Sequence, residues 1–361
     1  MKSLIKLSVV FPAILILASC NHVKVKYDDG DTVAASDTVV VADYATDTHI
    51  DSGTKAFLRV LNSGGTPLEQ LSKEDARNVL VGAQASVKVD LSGITELEKT
   101  IKQDGLNVKL NIVRPEGKNG RLPVFIFVHG GGWVLGDYPT HKRLVRDLVV
   151  RSGAVAVFVN YTPSPEARYP VALNEIYAAT KWVAAHGDEI GVDGKNLAIV
   201  GNSVGGNMST VTTIMAKDKQ GPAIKLQLLL WPIVDSGFNT TSYKKYGEDR
   251  FLTTNVMKWM FDQYTTDPKQ RKEIYASPLG ATSDQLKGLP PAVILVAEND
   301  ILRDEAEAYG RKLDAAGNSV STVRFNGAIH DFGLLNALSA NPSTQSMLDL
   351  AGATLKKHLK N

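Results

Sequence analysis

Leu197-Ala198-Ile199-Val200-Gly201-Asn202-Ser203-Val204-Gly205-Gly206 decides how this chain of 361 residues is read. Four apolar residues run straight into Gly-Asn-Ser-Val-Gly, and a helix-compatible segment follows from Asn207 to about Lys217. Strand, tight turn and helix in that order are the setting in which Gly-x-Ser-x-Gly lifts a serine hydroxyl clear of a sheet. Glycines two residues before and after the serine let strand and helix pass closely. The five-residue pattern also occurs in ordinary strand-to-helix turns, so its meaning rests on the chain to either side.

Upstream, Leu122 to Val128 is an apolar run without alternation, as expected of a strand buried on both faces. It empties into His129-Gly130-Gly131-Gly132-Trp133. Three glycines after a buried strand free the backbone to aim successive N–H groups at one point, which a developing oxyanion needs. Gly131, Gly132 and Val204 are the expected donors. Val108, Leu110 and Ile112 mark an earlier strand by alternation, and Ala154 to Val159 is another buried one. A helix is expected from Ala172 to Ala185, with Ile176, Thr180 and Val183 on one side. Strands alternating with helices predict an α/β fold with a mostly parallel central sheet flanked by helices.

Downstream, Leu226 to Val234 reads as a further buried strand, and Gly237 to Leu279 then breaks the alternation. That insertion holds Tyr243, Tyr246, Phe251, Trp259, Phe261 and Tyr264, in a chain that is 7% aromatic overall. Such density suits an apolar substrate pocket, with ordinary packing accounting for about half of the rings. Ala292 to Ala297 is a strand ending in Glu298-Asn299-Asp300, and a carboxylate at that end can orient a histidine. Asp304 and Glu305 are rivals, but the first turn of a helix is an ordinary place for acids. The strand Ser321 to Phe325 leads on to His330. Of seven histidines, His22, His49, His141, His186 and His358 read mostly as surface residues, and His129 belongs to the glycine loop. The chain order Ser203, Asp300, His330 then supplies nucleophile, acid and base, with a covalent acyl-enzyme as intermediate. This chemistry calls for no cofactor and no metal.

The totals agree with an ordinary globular body: 43% hydrophobic and 22% charged residues. Lys plus Arg is 40 against 38 acids, and residues 1–19, which hold Lys2 and Lys6 and no acid, account for the excess. No basic surplus remains to attract nucleic acid. A single cysteine excludes an intramolecular disulfide framework and a cysteine-rich metal site.

That cysteine closes an N-terminal signal. Met1 to Lys6 is basic, Leu7 to Leu17 is apolar but too short to span a bilayer, and Leu17-Ala18-Ser19-Cys20 ends it. The pattern resembles the bacterial lipoprotein signal, in which the cysteine is acylated, palmitate being a typical chain, and becomes the new N-terminus. Two or three chains make a stable membrane anchor. Asn21 stands where an inner-membrane retention signal has Asp, so an outer-membrane lipoprotein is expected, its catalytic body periplasmic or surface-exposed. The expected organisation is signal peptide 1–19, lipidated Cys20 and tether to 45, and hydrolase domain 46–361, with a helical cap from about 46–95 and 237–280. Ser72 with Asp75 marks a helix start inside the first cap segment.

His129-Gly130-Gly131-Gly132-Trp133, Gly201 to Gly206, Leu289-Pro290-Pro291-Ala292, Asp300 to Glu305 and His330-Asp331-Phe332 together resemble the hormone-sensitive-lipase-like branch of bacterial α/β hydrolases. The resemblance runs from about Gly53 to the C-terminus. It implies a carboxylesterase for small esters of short to medium acyl chains, using Ser203, His330 and Asp300. Three positions depart from that branch: Asn202 replaces an acid, Tyr161-Thr162 replaces Tyr-Arg, and Asp331 replaces a glycine. An amidase or peptidase on the same fold is the main alternative, and a non-catalytic envelope binding protein is a weaker one. Monomer and homodimer both stay open.

Overall fold

The computed structural model describes residues 43–359. One sheet of eight strands runs in the order β1-β2-β4-β3-β5-β6-β7-β8. The strands are β1 (Ile94–Gln103), β2 (Leu106–Pro115), β3 (Leu122–Val128), β4 (Val155–Asn160), β5 (Val192–Asn202), β6 (Gln227–Leu230), β7 (Ala292–Asn299) and β8 (Val320–Ile329). β2 lies antiparallel to both β1 and β4, and every other pairing is parallel. The expected α/β-hydrolase sheet is therefore present, with an antiparallel corner at one edge.

Both faces of the sheet are covered. In β3, Val124, Ile126 and Val128 enter one core cluster and Phe125 and Phe127 the other. That two-sided burial is why the run has no polar alternation. The helices are α1 (Ser52–Leu61), α2 (Lys73–Ala85), α3 (Tyr138–Ser152), α4 (Val171–His186), α5 (Val204–Asp218), α6 (Thr241–Tyr246), α7 (Thr254–Tyr264), α8 (Pro268–Arg271), α9 (Ser283–Leu286), α10 (Arg303–Ala315) and α11 (Pro342–His358). Ser72 caps α2 as expected, its hydroxyl accepting from the Asp75 N–H at 3.1 Å. α3 opens on a capping box of Asp137 and Thr140 and ends at Gly153 with φ 74°. None of these helices is long and apolar enough to cross a membrane.

β1 has no counterpart in the sequence reading. Its segment, Ile-Thr-Glu-Leu-Glu-Lys-Thr-Ile-Lys-Gln, shows no apolar face, and Ile101 is its one buried side chain. It is an edge strand whose Glu98 pairs across to Lys109 at 2.9 Å. Charges along an edge discourage pairing with other chains, and they also erase the hydrophobic period that marks a strand.

α5 is buried all round from Val204 to Ala216. Its threonine hydroxyls are turned onto the helix or a neighbour: Thr212 donates to the Met208 carbonyl and Thr213 to that of Thr210. The Thr210 and Tyr309 hydroxyls share a bond of 2.8 Å. The parallel strands all point their carboxyl ends the same way, so β3, β5, β7 and β8 deliver His129, Ser203, Asp300 and His330 to one edge of the sheet.

The close approach of α5 to that edge depends on Gly205, where a Cβ would overlap the Val128 carbonyl oxygen. Gly205→Ala should destabilise the fold by about 3 kcal/mol, at the upper end for overpacking. Urea unfolding checks this, and a loss under about 1 kcal/mol would show that the contact yields.

Candidate active site

β5 turns into α5 through one residue, Ser203, at φ 54° and ψ −122°. This left-handed backbone is uncommon for a residue with a side chain and holds its hydroxyl off the strand axis. The Ser203 N–H donates to the Leu230 carbonyl at 2.9 Å, which ties the turn to the end of β6. Gly201 has no room for a Cβ, which would overlap the Gly205 carbonyl.

His330 follows the last residue of β8, and its Nε2 lies 3.0 Å from Ser203 Oγ. On the other side its Nδ1 lies 2.7 Å from Asp300 Oδ2. Asp300 follows β7, and its second oxygen accepts the Leu302 N–H at 2.9 Å, which fixes the carboxylate plane. A carboxylate at Nδ1 puts the ring proton there and leaves Nε2 free to accept from the serine hydroxyl. Ser203, Asp300 and His330 are 4%, 1% and 2% exposed. The structure thus brings together the three residues singled out from the sequence, and the rivals of Asp300 have other partners. Asp304 accepts the Ser242 N–H, and Glu305 accepts those of Val234 and Asp235. Burial pushes the Glu305 carboxyl well above its ordinary range.

The glycine loop stands beside the elbow. The Gly130 N–H donates to Asn202 Oδ1 at 2.9 Å, and Gly131, Gly132 and Trp133 follow at φ 102°, 62° and 62°. A Cβ on Gly131 would overlap the Leu135 carbonyl, and one on Gly132 would overlap Met260 of α7. Val204 is the first residue of α5, so its N–H has no acceptor within the helix. Gly130 thus lies against Asn202, the neighbour of Ser203, and Gly131 and Gly132 continue the loop from there without side chains.

Behind the loop lies a layer of rings. Tyr161 stacks on His129 at 4.1 Å, Phe158 stacks on the same imidazole at 5.3 Å, and His141 lies 5.3 Å away. Burial lowers His129 to about 4 and pushes His141 well below its ordinary value, so both are neutral near pH 7. His141 corrects the sequence reading: it is fully buried, because α3 packs it against the sheet and toward Asn202. A histidine on a helix with no other local cue gives no sign of which face it occupies.

Four of the eight rings of the insertion, Tyr243, Tyr246, Phe261 and Tyr264, are buried in the core. Trp133 stacks on Tyr264 at 4.2 Å and meets the edge of Phe261 at 4.8 Å, so the insertion packs directly on the glycine loop. Phe251 lies 6.5 Å from the His330 ring.

Three side chains that the sequence reading passed over brace these loops. Arg77 of α2 donates to the Val134 carbonyl at 2.9 Å and forks onto both oxygens of Glu166. Gln84, two turns further along α2, donates to the carbonyls of Thr140 and Leu334 and accepts the Asn336 N–H. Buried Arg143 donates to the carbonyls of Gly333 and Leu334 at 2.6 and 2.8 Å. Asn202 and Asp331, the two departures nearest the serine, touch: Asn202 Nδ2 donates to Asp331 Oδ1 at 3.1 Å. The third departure, Thr162, has both its N–H and its hydroxyl on Glu175.

A buried serine, histidine and aspartate at the carboxyl edge of this sheet, beside a triple-glycine loop, define a serine-hydrolase-like site on an α/β scaffold. The chain belongs to the alpha/beta hydrolase fold family, whose match covers residues 125–334. It is 39% identical over 251 residues to an alpha/beta hydrolase of Acanthamoeba polyphaga mimivirus, covering 69% of this chain and 72% of that one. It is 38% identical over 253 residues to a carboxylic ester hydrolase of Mycobacterium tuberculosis, covering 68% of this chain and 66% of the other. Among solved structures, a thermostable esterase from Pseudomonas putida superposes with a TM-score of 0.87 at 60% identity, over 87% of this chain and 99% of that one.

The overlap at Gly132 yields a test. Gly132→Ala should displace the loop from Met260 and lower kcat for ester hydrolysis by about 10²-fold, the loss typical of one missing oxyanion donor. Adding Met260→Ala should recover part of it. Equal kcat in wild type and Gly132→Ala would show that the loop does not act at the reacting carbonyl.

Proposed function

We propose that the chain is a serine carboxylesterase acting on small esters of short to medium acyl chains. The observation that carries the reading is the continuous hydrogen-bond chain from Ser203 Oγ through His330 to Asp300, at 3.0 and 2.7 Å and shut away from water. The esterase named among its structural neighbours, 60% identical, supports it.

In this mechanism Ser203 Oγ attacks the ester carbonyl while His330 Nε2 takes its proton. Asp300 keeps the other ring proton on Nδ1 and stabilises the imidazolium as it forms. The N–H groups of Gly131, Gly132 and Val204 stabilise the tetrahedral oxyanion. Its collapse expels the alcohol, protonated by His330, and leaves the acyl group on Ser203. Water, deprotonated by the same imidazole, attacks that acyl-enzyme and releases the acid with the serine restored. The segments 46–95 and 237–280 act as the cap over this site, with Met260 against Gly132 and Phe251 beside the His330 ring.

Cys20 lies outside the described residues, and its lipidation is proposed from the sequence alone. A lipid-anchored esterase would work in the bacterial envelope, with the outer membrane as the expected place.

Ser203→Ala should lower kcat/KM for p-nitrophenyl acetate and butyrate by on the order of 10⁵-fold. Wild-type activity no higher than that of Ser203→Ala, on esters of two to eight acyl carbons, would reject the esterase reading; amide turnover alone would point to the amidase alternative. For the anchor, Cys20→Ser should move the protein from the membrane fraction to the soluble one. Unchanged partition, or no incorporation of labelled palmitate at Cys20, would reject lipidation.

A further inference from the structure

Asp331 stands directly after the candidate base, at φ 58°, a left-handed backbone that aspartate tolerates better than most residues. Its side chain is buried, and two neutral donors hold one oxygen: Trp231 Nε1 at 2.6 Å and Asn202 Nδ2 at 3.1 Å. The other oxygen, Oδ2, lies 3.8 Å from His330 Nε2. The imidazole therefore has a carboxylate at each nitrogen, Asp300 in hydrogen-bond contact with Nδ1 and Asp331 just beyond contact with Nε2. Asn202 does two jobs at once, accepting the Gly130 N–H with its oxygen and donating to Asp331 with its nitrogen. An amide does both without titrating; an ionised carboxylate there would face Asp331 oxygen to oxygen.

We propose that Asp331 is a second carboxylate acting on the His330 ring, held there by Asn202 and Trp231, and that it sets the lower pH limit of activity. It is a positioning and electrostatic residue, acting through the histidine. The inference rests on the reading of Ser203 and His330 as nucleophile and base. The groups facing the ring are Ser203 from the elbow, the neutral Phe251 ring from the insertion, Asp300 from the end of β7, and Asp331. Only the two aspartates carry charge.

Burial alone would push His330 down, but the two carboxylates outweigh it and hold it above its ordinary value. The sign follows directly. His330 accepts the serine proton only when neutral, so activity rises as pH passes upward through its raised pKa. Removing one of the two carboxylates lowers that pKa and moves the rise to lower pH.

The test is the pH profile of kcat/KM on p-nitrophenyl butyrate for wild type and Asp331→Asn. Asparagine keeps the size and an acceptor oxygen for Trp231. At the pH where wild type runs at half its plateau, the variant should run nearer its own plateau, a relative gain of up to about twofold. Looser packing would scale the whole profile without moving its midpoint. In the double variant Asn202→Asp with Asp331→Asn, the acid–amide pair is reversed and the charge leaves the ring, so the midpoint should fall again. NMR titration of the His330 ring gives the same midpoint without turnover, in whichever variant folds. Midpoints unchanged from wild type would overturn the proposal while leaving the esterase reading intact. A wild type no more active than Ser203→Ala would reject that reading instead.

Discussion

The backbone at Ser203 is the constraint on which the rest of the site depends. A left-handed conformation at a residue with a side chain costs on the order of 1–3 kcal/mol and persists only where the surroundings over-determine it. Here β5 is paired on both sides, by β3 and β6, and α5 is buried along almost its whole length. Neither element can rotate to relieve the one residue between them. The glycines follow from the same constraint. Gly201 faces the Gly205 backbone, and Gly205 in turn lies against the end of β3, which brings the triple-glycine loop close to the elbow.

Burial then decides which nearby groups carry charge. Glu305, fully buried, loses more by leaving water than its two backbone donors return, so its carboxyl is driven toward the neutral form. His129 and His141 are neutral for the same reason. What remains is one titrating ring between two aspartates. In such a dry setting each charge acts more strongly than at a surface, and few are present to blur the effect. A neutral residue at 202 fits this arrangement, because a further carboxylate beside Asp331 would force the two to share a proton.

The edge that gathers Ser203, Asp300 and His330 was legible in the sequence because its parts need particular residue types at particular places. An elbow needs small residues around a serine, an oxyanion loop needs glycines after a buried strand, and the acid and base must follow later strands. Those demands fall on short stretches, and Ser203, Asp300 and His330, which the fold joins in one hydrogen-bond chain, could be named from them. β1 was not legible, since a charged edge strand has no buried face to impose a period. The burial of His141 and the contact between Asn202 and Asp331 were not legible either. Both are set by packing between segments far apart in the chain: Asn202 and Asp331 are 129 residues apart. Each looked like an isolated departure because the sequence carries no record of which departures touch.

The N-terminal helices show how a segment with weak local signals can matter to the site. α2 presents Arg77 and Gln84 seven residues apart, hence on one face. Arg77 holds the chain just after the triple glycine, and Gln84 holds the loop just after His330. Residues before α1 act on the same edge: Asn299 donates to the His49 carbonyl at 2.7 Å, next to Asp300, and Ile50 bridges to Gly327 near the end of β8. Asp47 pairs with buried Arg250 of the insertion at 3.1 Å. These contacts go to backbone carbonyls or to buried charge. Losing any of them leaves an unpaired polar group inside, at a cost of about 1–3 kcal/mol. The first fifty described residues are therefore held to the triple-glycine loop, the end of β7, the loop after His330 and the insertion. A disturbance there would reach the 3.0 Å contact between Ser203 and His330 through the loops those contacts hold. The position of Ser203 against His330 is thus set in part by helices that carry neither residue.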